Sequence, residues 1–342
     1  MKINKAQLTK ALEIVKPGLA NKEMIEQSTS FAFIGEKVVT YNDEISISHP
    51  VPGLELKGAI KADELYKLLN KIKQEQVEFE LTENEIIIKT GKTTVGLTLQ
   101  HEVKLPLEEI GAITKWKTLP KDFIDNIKFA VLAVSNDMSR PILTCIHVTD
   151  EGAYESSDGF KLLRIAGEKM PVKSFLLPAT TVAQIIKVSP DHIAEGQGWI
   201  HFQNSKNGTI LSCRIFEDQY PNVAPLLVVK KGIDLILPNT ITEILDRASV
   251  FSKRDHFSDE QIILTICAKK IKIESASETG WFEEEIPIRY DGEEVFFAIT
   301  PYLLGDILNR TKTCTLSDNR ITFKEEGWQY LAILRETPKK KK

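Results

Sequence analysis

Cysteine is scarce in this sequence: only Cys145, Cys213, Cys267 and Cys314 occur in 342 residues, and none belongs to a Cys-x-x-Cys pair. That spacing excludes a disulfide framework and a thiolate zinc site. Each cysteine lies in an apolar or alternating run, so buried thiols in a reducing, cytoplasmic setting are expected. The six histidines do not cluster with cysteines or carboxylates at metal-ligand spacing, so neither a metal nor a cofactor is expected. No apolar run approaches a membrane span, and the opening Met1-Lys2-Ile3-Asn4 has no apolar signal region, so no membrane partner is expected. There is no phosphate loop, no His-Glu-x-x-His and no Gly-x-Ser-x-Gly. Asp158 beside Gly159 could pass for a catalytic carboxylate, but a turn accounts for the pair. The expectation is a non-catalytic protein with no catalytic residues.

What is present is a repeat. The length suits two or three domains, and 42 % hydrophobic with 27 % charged residues is the balance of a globular chain. Each third opens with an amphipathic helix, marked by Leu8, Leu12 and Val15, by Phe123, Ile127 and Val131, and by Ile241, Ile244, Leu245 and Ala248. Three strands follow each helix: 31–34, 37–41 and 45–49; 143–148, 152–156 and 162–166; 262–267, 270–275 and 282–288. An apolar lead-in and a second helix come next, around Leu68, Ile185 and Ile307, the last with Thr300 as cap before Pro301. Alternating strands then close each third, with Asn207-Gly208 and Glu326-Gly327 as turns. The helix marks step by 115 and 117 residues for the first helix and by 117 and 122 for the second. The reading is α+β: three similar domains, 1–113, 118–227 and 232–336, each with two helices packed on antiparallel sheet, joined by linkers at 113–118 and 227–232. A basic tail, 337–342, ends the chain.

Net charge is −4, yet the six helical segments (5–16, 61–75, 121–131, 177–190, 240–254 and 300–312) together carry +6 and leave −10 on the rest. Basic helices on an acidic protein suit a surface that meets phosphates without reading sequence.

The middle of the chain is the most specific stretch. Arg140-Pro141-Ile142-Leu143-Thr144-Cys145-Ile146-His147-Val148 reads as a strand begun by proline, and Ser157-Asp158-Gly159-Phe160-Lys161-Leu162 as a tight turn into a second strand. Both fragments, in order after the helical run 123–134, resemble the middle domain of the bacterial DNA polymerase III beta subunit, the DNA sliding clamp. With the threefold pattern, the resemblance covers essentially the whole chain. It implies the DNA clamp fold, closed as a ring by two chains joined head to tail. It also implies a processivity factor that encircles duplex DNA. Its partners would be a DNA polymerase, an ATP-driven clamp loader and a second copy of itself. The length and divergent pocket residues point towards a phage-type member.

Carried over by position, the partner-peptide pocket would comprise Leu143, Gly159, Phe160, Lys161, Leu162, Val223, Phe257, Tyr302, Ile333 and Leu334. Phe160-Lys161 replace the family's His-Arg, and the carboxyl end lacks its Met-Pro-x-Arg. DNA contact is expected from Lys10, Lys22, Lys71, Lys187, Lys253, Arg254 and Arg310. Ala179-Thr180 stand where the family has a basic pair. The subunit interface would join Val95 and Leu97 to Val250 and Phe251, with Lys71 and Lys73 facing Glu284 and its neighbours. Plain core packing remains an equal reading for Leu143 and Leu162. For the whole chain, the alternative is a structural or assembly protein of three repeated α+β domains that does not encircle DNA.

Overall fold

The structure is a computed structural model that describes residues 1–111, 113, 115–229, 231–254, 259–317 and 319–335. The element order contains one block three times: a short strand, a helix, four strands, a second helix and three strands. The first block is β1 (Lys2–Asn4), α1 (Lys5–Val15), β2 (Ser30–Gly35), β3 (Lys37–Tyr41), β4 (Ile45–Pro50), β5 (Leu56–Lys61), α2 (Ala62–Lys71), β6 (Gln76–Leu81), β7 (Glu85–Thr90) and β8 (Thr93–Thr98). The second is β9 (Lys117–Thr118), α3 (Phe123–Ala130), β10 (Cys145–Val148), β11 (Ala153–Ser157), β12 (Lys161–Ala166), β13 (Phe175–Pro178), α4 (Ala179–Val188), β14 (His192–Glu195), β15 (Trp199–Asn204) and β16 (Thr209–Arg214). The third is β17 (Ile233–Ile236), α5 (Ile241–Ser249), β18 (Ile262–Cys267), β19 (Lys270–Ser277), β20 (Gly280–Pro287), β21 (Val295–Ile299), α6 (Tyr302–Leu308), β22 (Thr313–Ser317), β23 (Arg320–Glu325) and β24 (Trp328–Ile333). No helix of the described residues is long and apolar enough to cross a membrane.

One hydrogen bond recurs in all three blocks. A buried hydroxyl on the second strand of the four donates to a carbonyl at the end of the first helix. The pairs are Thr40 Oγ1 to Val15 O at 2.5 Å, Ser156 Oγ to Ala130 O at 2.6 Å, and Ser275 Oγ to Ala248 O at 2.6 Å. The last carbonyls of a helix have no partner within it, so a strand hydroxyl that reaches them fixes helix to sheet.

The chain packs as two compact units. The first holds residues 1–125, 149–151 and 168–218. Its larger sheet runs β5-β2-β3-β4-β16-β15-β14-β9, and its smaller one β1-β6-β7-β8. Phe31, Phe33, Tyr41 and Phe202 are fully buried there, and the Phe123 and Phe202 rings lie 5.4 Å apart. In α1, Asn4 accepts from the Gln7 N–H at the amino end, and Leu8, Ala11, Leu12 and Val15 form the buried stripe.

The second unit holds residues 126–148, 152–167 and 219 onward. Its larger sheet contains the run β10-β11-β12-β24-β23-β22-β17, and its smaller one is β20-β19-β18-β21. Tyr154 and Phe323 fill its core, and Tyr330 donates its hydroxyl to Leu303 O at 2.6 Å.

Several local expectations change. Pro141 opens a 3₁₀ turn, 141–144, and not a strand, which starts at Cys145. Thr144 Oγ1 donates to Pro141 O and closes that turn, so Leu143 sits in the turn. Thr300 does not cap α6: its hydroxyl accepts from Arg335 Nε at 3.0 Å. Val250 and Phe251 lie just past the end of α5, not on it. The apolar lead-ins are strands β5, β13 and β21, while the short strands β1, β9 and β17 and the strand β14 carry too little alternation to be read from sequence.

Candidate partner groove, basic helices and open edges

In the second unit, the two fragments that carry the resemblance lie side by side. Gly159 has φ +91°, a conformation that glycine adopts without strain. Asp158 Oδ1 accepts from the N–H groups of Phe160 and Lys161, both at 2.8 Å, and Ser157 Oγ accepts from Gly159 N and donates to Lys161 O. The turn is therefore locked by its own side chains. A Cβ at Gly159 would stand 3.4 Å from Arg140 Nη1, so the Arg140 guanidinium lies across the turn. Tyr302 donates to Asp158 Oδ2 at 3.3 Å, and burial together with Asp158 pushes the phenol up, which keeps it a donor.

Phe160 O accepts from Ile333 N at 2.9 Å, which brings two exposed apolar side chains together: Phe160 is 41 % exposed and Ile333 38 %. Arg320, opposite Ile333 in the β23–β24 ladder, donates to Leu226 O at 2.6 Å. Leu226 is 53 % exposed and completes the apolar rim. The segment that carries it is anchored by Tyr220, whose ring stacks on His147 with centroids 5.0 Å apart. His147 Nδ1 in turn meets Glu155 at 2.8 Å, and Arg164 meets the same carboxylate at 3.4 Å. A cleft of about 360 Å³ lies alongside, between Ala224, Leu227 and Val228 on one side and Arg164, Thr322 and Lys324 on the other.

The predicted pocket residues therefore divide. Gly159, Phe160 and Ile333 are open to a partner, and Leu143, Tyr302 and Leu334 are half-buried. Leu162 and Val223 are buried beneath the surface. Lys161 is buried too. Its ammonium stands 5.1 Å from the Tyr302 ring centroid, and desolvation pulls its pKa down against the pull of Asp158 and Asp306. Phe257 lies outside the described residues, as does the tail 337–342. Sequence reasoning missed Leu226, Arg140 and Arg320. The signal for Leu226 was present as an apolar run, 223–229, that is too apolar for a simple linker.

The predicted DNA-facing residues Lys10, Lys22, Lys71, Lys187, Lys253, Arg254 and Arg310 are all exposed. Two are also engaged structurally. Arg310 lies 3.6 Å from the centroid of the Phe129 ring, and Arg254 donates to Ala276 O at 2.6 Å.

The predicted interface residues sit on or beside sheet edges. In the first unit β8 ends the small sheet, with Val95 and Leu97 half-buried. In the second unit β20 ends the other small sheet. Beside it, Val250 is 60 % exposed, and Phe251 packs against Gly280. Lys71 and Lys73 are exposed. Glu284 is already held by Arg247 at 2.8 Å, Glu283 by Lys272 at 3.0 Å and Glu285 by Lys270 at 2.9 Å. The acidic row is thus neutralised within the chain.

No protein-family model matches this chain. Solved structures do. The DNA polymerase III subunit beta of Pseudomonas aeruginosa superposes with a TM-score of 0.84 over 98 % of this chain and 99 % of its own, at 15 % identity. The DNA polymerase sliding clamp of Bacillus subtilis gives 0.82 over the same shares at 19 % identity. The pol III beta of Caulobacter crescentus gives 0.85 over the same shares at 16 %. At such identities the likeness is one of fold, and it spans the whole length: the chain has the α+β, three-repeat fold of the DNA sliding clamps.

Proposed function

We propose that this protein is a sliding clamp: a non-catalytic processivity factor that closes into a ring around duplex DNA as a head-to-tail dimer. The observation that carries the reading is a junction rule within the fold. In the first unit the third strand of the first block's four, β4, pairs with the last strand of the second block, β16. In the second unit β12 pairs in the same way with β24. The rule leaves two strands over, β20 and β8, each at the open edge of a four-stranded sheet among the described residues. An open edge presents unpaired backbone donors and acceptors and is a template for another chain. Pairing β20 of one copy with β8 of the next satisfies both edges, and two copies close the cycle.

The remaining parts fit this use. Domains at 1–113, 118–227 and 232–336 would give six blocks in the ring. Exposed lysines on α1, α2 and α4 would face the duplex, with Lys22, Lys253, Arg254 and Arg310 beside them, and would hold it without sequence preference. The rim formed by Phe160, Leu226 and Ile333 would take an apolar-ended peptide of a DNA polymerase or of an ATP-driven loader, a small site that relies on a few anchors.

The test is topological. Protein loaded on closed circular DNA is challenged with moderate salt, and the circle is then cut. Retention on the circle and release after the cut is the expected outcome, because escape from an intact circle requires opening the ring. Equal loss from circular and linear DNA would refute encirclement.

A further inference from the structure

The three blocks can be aligned residue by residue, and the alignment predicts a register for the seam between copies. The recurring hydroxyls place Thr40, Ser156 and Ser275 at equivalent positions. Their cross-strand partners are Ile47, Leu163 and Phe282. The closing hairpins align through their buried pairs, Ile86 and Ile88, Ile200 and Phe202, Ile321 and Phe323. The residues opposite the second member of each pair are Val95, Leu211 and Tyr330. Both junctions that exist within a chain use one register: Ile47 opposes Leu211, and Leu163 opposes Tyr330. The same register at the seam sets Phe282 opposite Val95. One residue along, where Ser46 opposes Ser212 and Leu162 opposes Leu331, it sets Trp281 opposite Gly96.

Those two residues are complementary in form. Trp281 is 72 % exposed in the single chain, an unusual exposure for the largest apolar side chain. Gly96 is exposed at the outer edge of β8, opposite Ile87 in the ladder, and the nearest atoms a Cβ there would meet belong to the Glu85 carboxylate, at 3.1–3.6 Å, a flexible exposed side chain that a ring can displace. Directly opposed residues of an antiparallel pair bring their side chains to about 5 Å. An aromatic ring over a glycine in an edge strand covers backbone that the glycine leaves bare. Next along, the register sets Thr94 opposite Glu283, whose carboxylate is already held by Lys272 of its own chain.

We propose that Trp281 of one copy packs over Gly96 of the next and locks the ring seam in this register. The proposal rests on the ring reading above, and its test separates the two. Sedimentation across a concentration series gives the oligomeric state. Gly96→Cys combined with Trp281→Cys is then oxidised and compared with Gly96→Cys combined with Glu283→Cys, since only cysteines within about 7 Å (Cα to Cα) and correctly aimed can bridge. Trp281→Ala and Trp281→Phe are measured as dimers. Because Trp281 is mostly exposed in the single chain, its replacement leaves the fold intact.

The expected result has three parts. The 96/281 pair cross-links to a covalent dimer, Trp281→Ala raises the dissociation constant about tenfold or more, and Trp281→Phe recovers most of the loss. A dimer that cross-links only through 96/283, or that is unchanged by Trp281→Ala, overturns the lock and leaves the ring. A wild-type monomer at all concentrations overturns the ring itself, and the lock with it.

Discussion

His201 carries a proton-linked part of the stability. It is buried on β15, its Nδ1 lies 2.9 Å from Ser212 Oγ, and Gly196 leaves room for its Nε2. Burial lowers its pKa to about 4. Above about pH 6.5 the imidazole is neutral in both folded and unfolded chains and costs nothing. Below that value the unfolded chain takes up a proton that the folded chain refuses until about pH 4. Stability therefore falls as pH drops through this window, by on the order of 2–3 kcal/mol from this group. His49 is also lowered by burial and acts in the same sense. Urea unfolding at pH 7.5 and pH 5 should show the loss, and His201→Gln should flatten the slope between them; an unchanged slope would show that His201 is not its source. The groove gives a second contrast between neighbouring residues. Phe160→Ala and Leu226→Ala should each weaken an apolar partner peptide by about 1–2 kcal/mol with the melting temperature unchanged. Val223→Asp should lower the melting temperature sharply, because it puts a carboxylate into a buried position. Fluorescence anisotropy with a polymerase-derived peptide, run beside thermal melts, distinguishes the two.

At the scale of elements, the three hydroxyl–carbonyl bonds do work that helix propensity cannot. α3 has only eight residues, too few to be stable alone in water. Ser156 holds its last carbonyl, and Ser275 holds that of Ala248 in α5. Ser156→Ala should cost about 1–3 kcal/mol in chemical unfolding, since a buried carbonyl loses a hydroxyl donor, and Ser275→Ala should cost less, because Ala248 O keeps the Phe251 N–H at 3.1 Å. A Thr at either place should restore most of the loss, as Thr40 serves α1. Near-neutral alanine variants would mean that the packing of the helix stripe suffices. The sequence carries this device as a Ser or Thr inside each second strand, but β11 and β19 hold two serines each, and such residues read equally well as the polar face of an alternating strand. The carbonyl partner is 25 to 27 residues away.

For the whole molecule, charge and edges divide the labour. Helical segments at +6 on a chain of −4 give a weak attraction for phosphates that salt screens within about 10 Å. Weak attraction would suit sliding, and the proposed ring would make up for it, because linkage to DNA does not depend on ionic strength until a seam opens. The seams of the proposed ring would be sheet edges, so closure would join backbone ladders and would not be left to side chains alone. This is why the circular-DNA experiment is decisive for the function and the cysteine pairs for the seam.

The helix stripes, the spacing of the blocks and the Asp158-Gly159 turn were legible in the sequence because each depends on residues a few positions apart, where 3.6 or 2 residue periods and turn chemistry act. Those signals, with the resemblance they support, led to the α+β repeat and the clamp fold. Three features were settled only in three dimensions. Leu162 and Val223 turned inward while Leu226 turned out, because burial depends on what a distant segment covers. The short strands β1, β9 and β17 exist because a longer neighbour supplies their ladder: β6, β14 and β22 in turn. The register at β4–β16 and β12–β24, from which the place of Trp281 follows, is fixed between residues more than a hundred positions apart. Local pattern sets which face of a strand is apolar, but only the packed core decides which strand lies beside it.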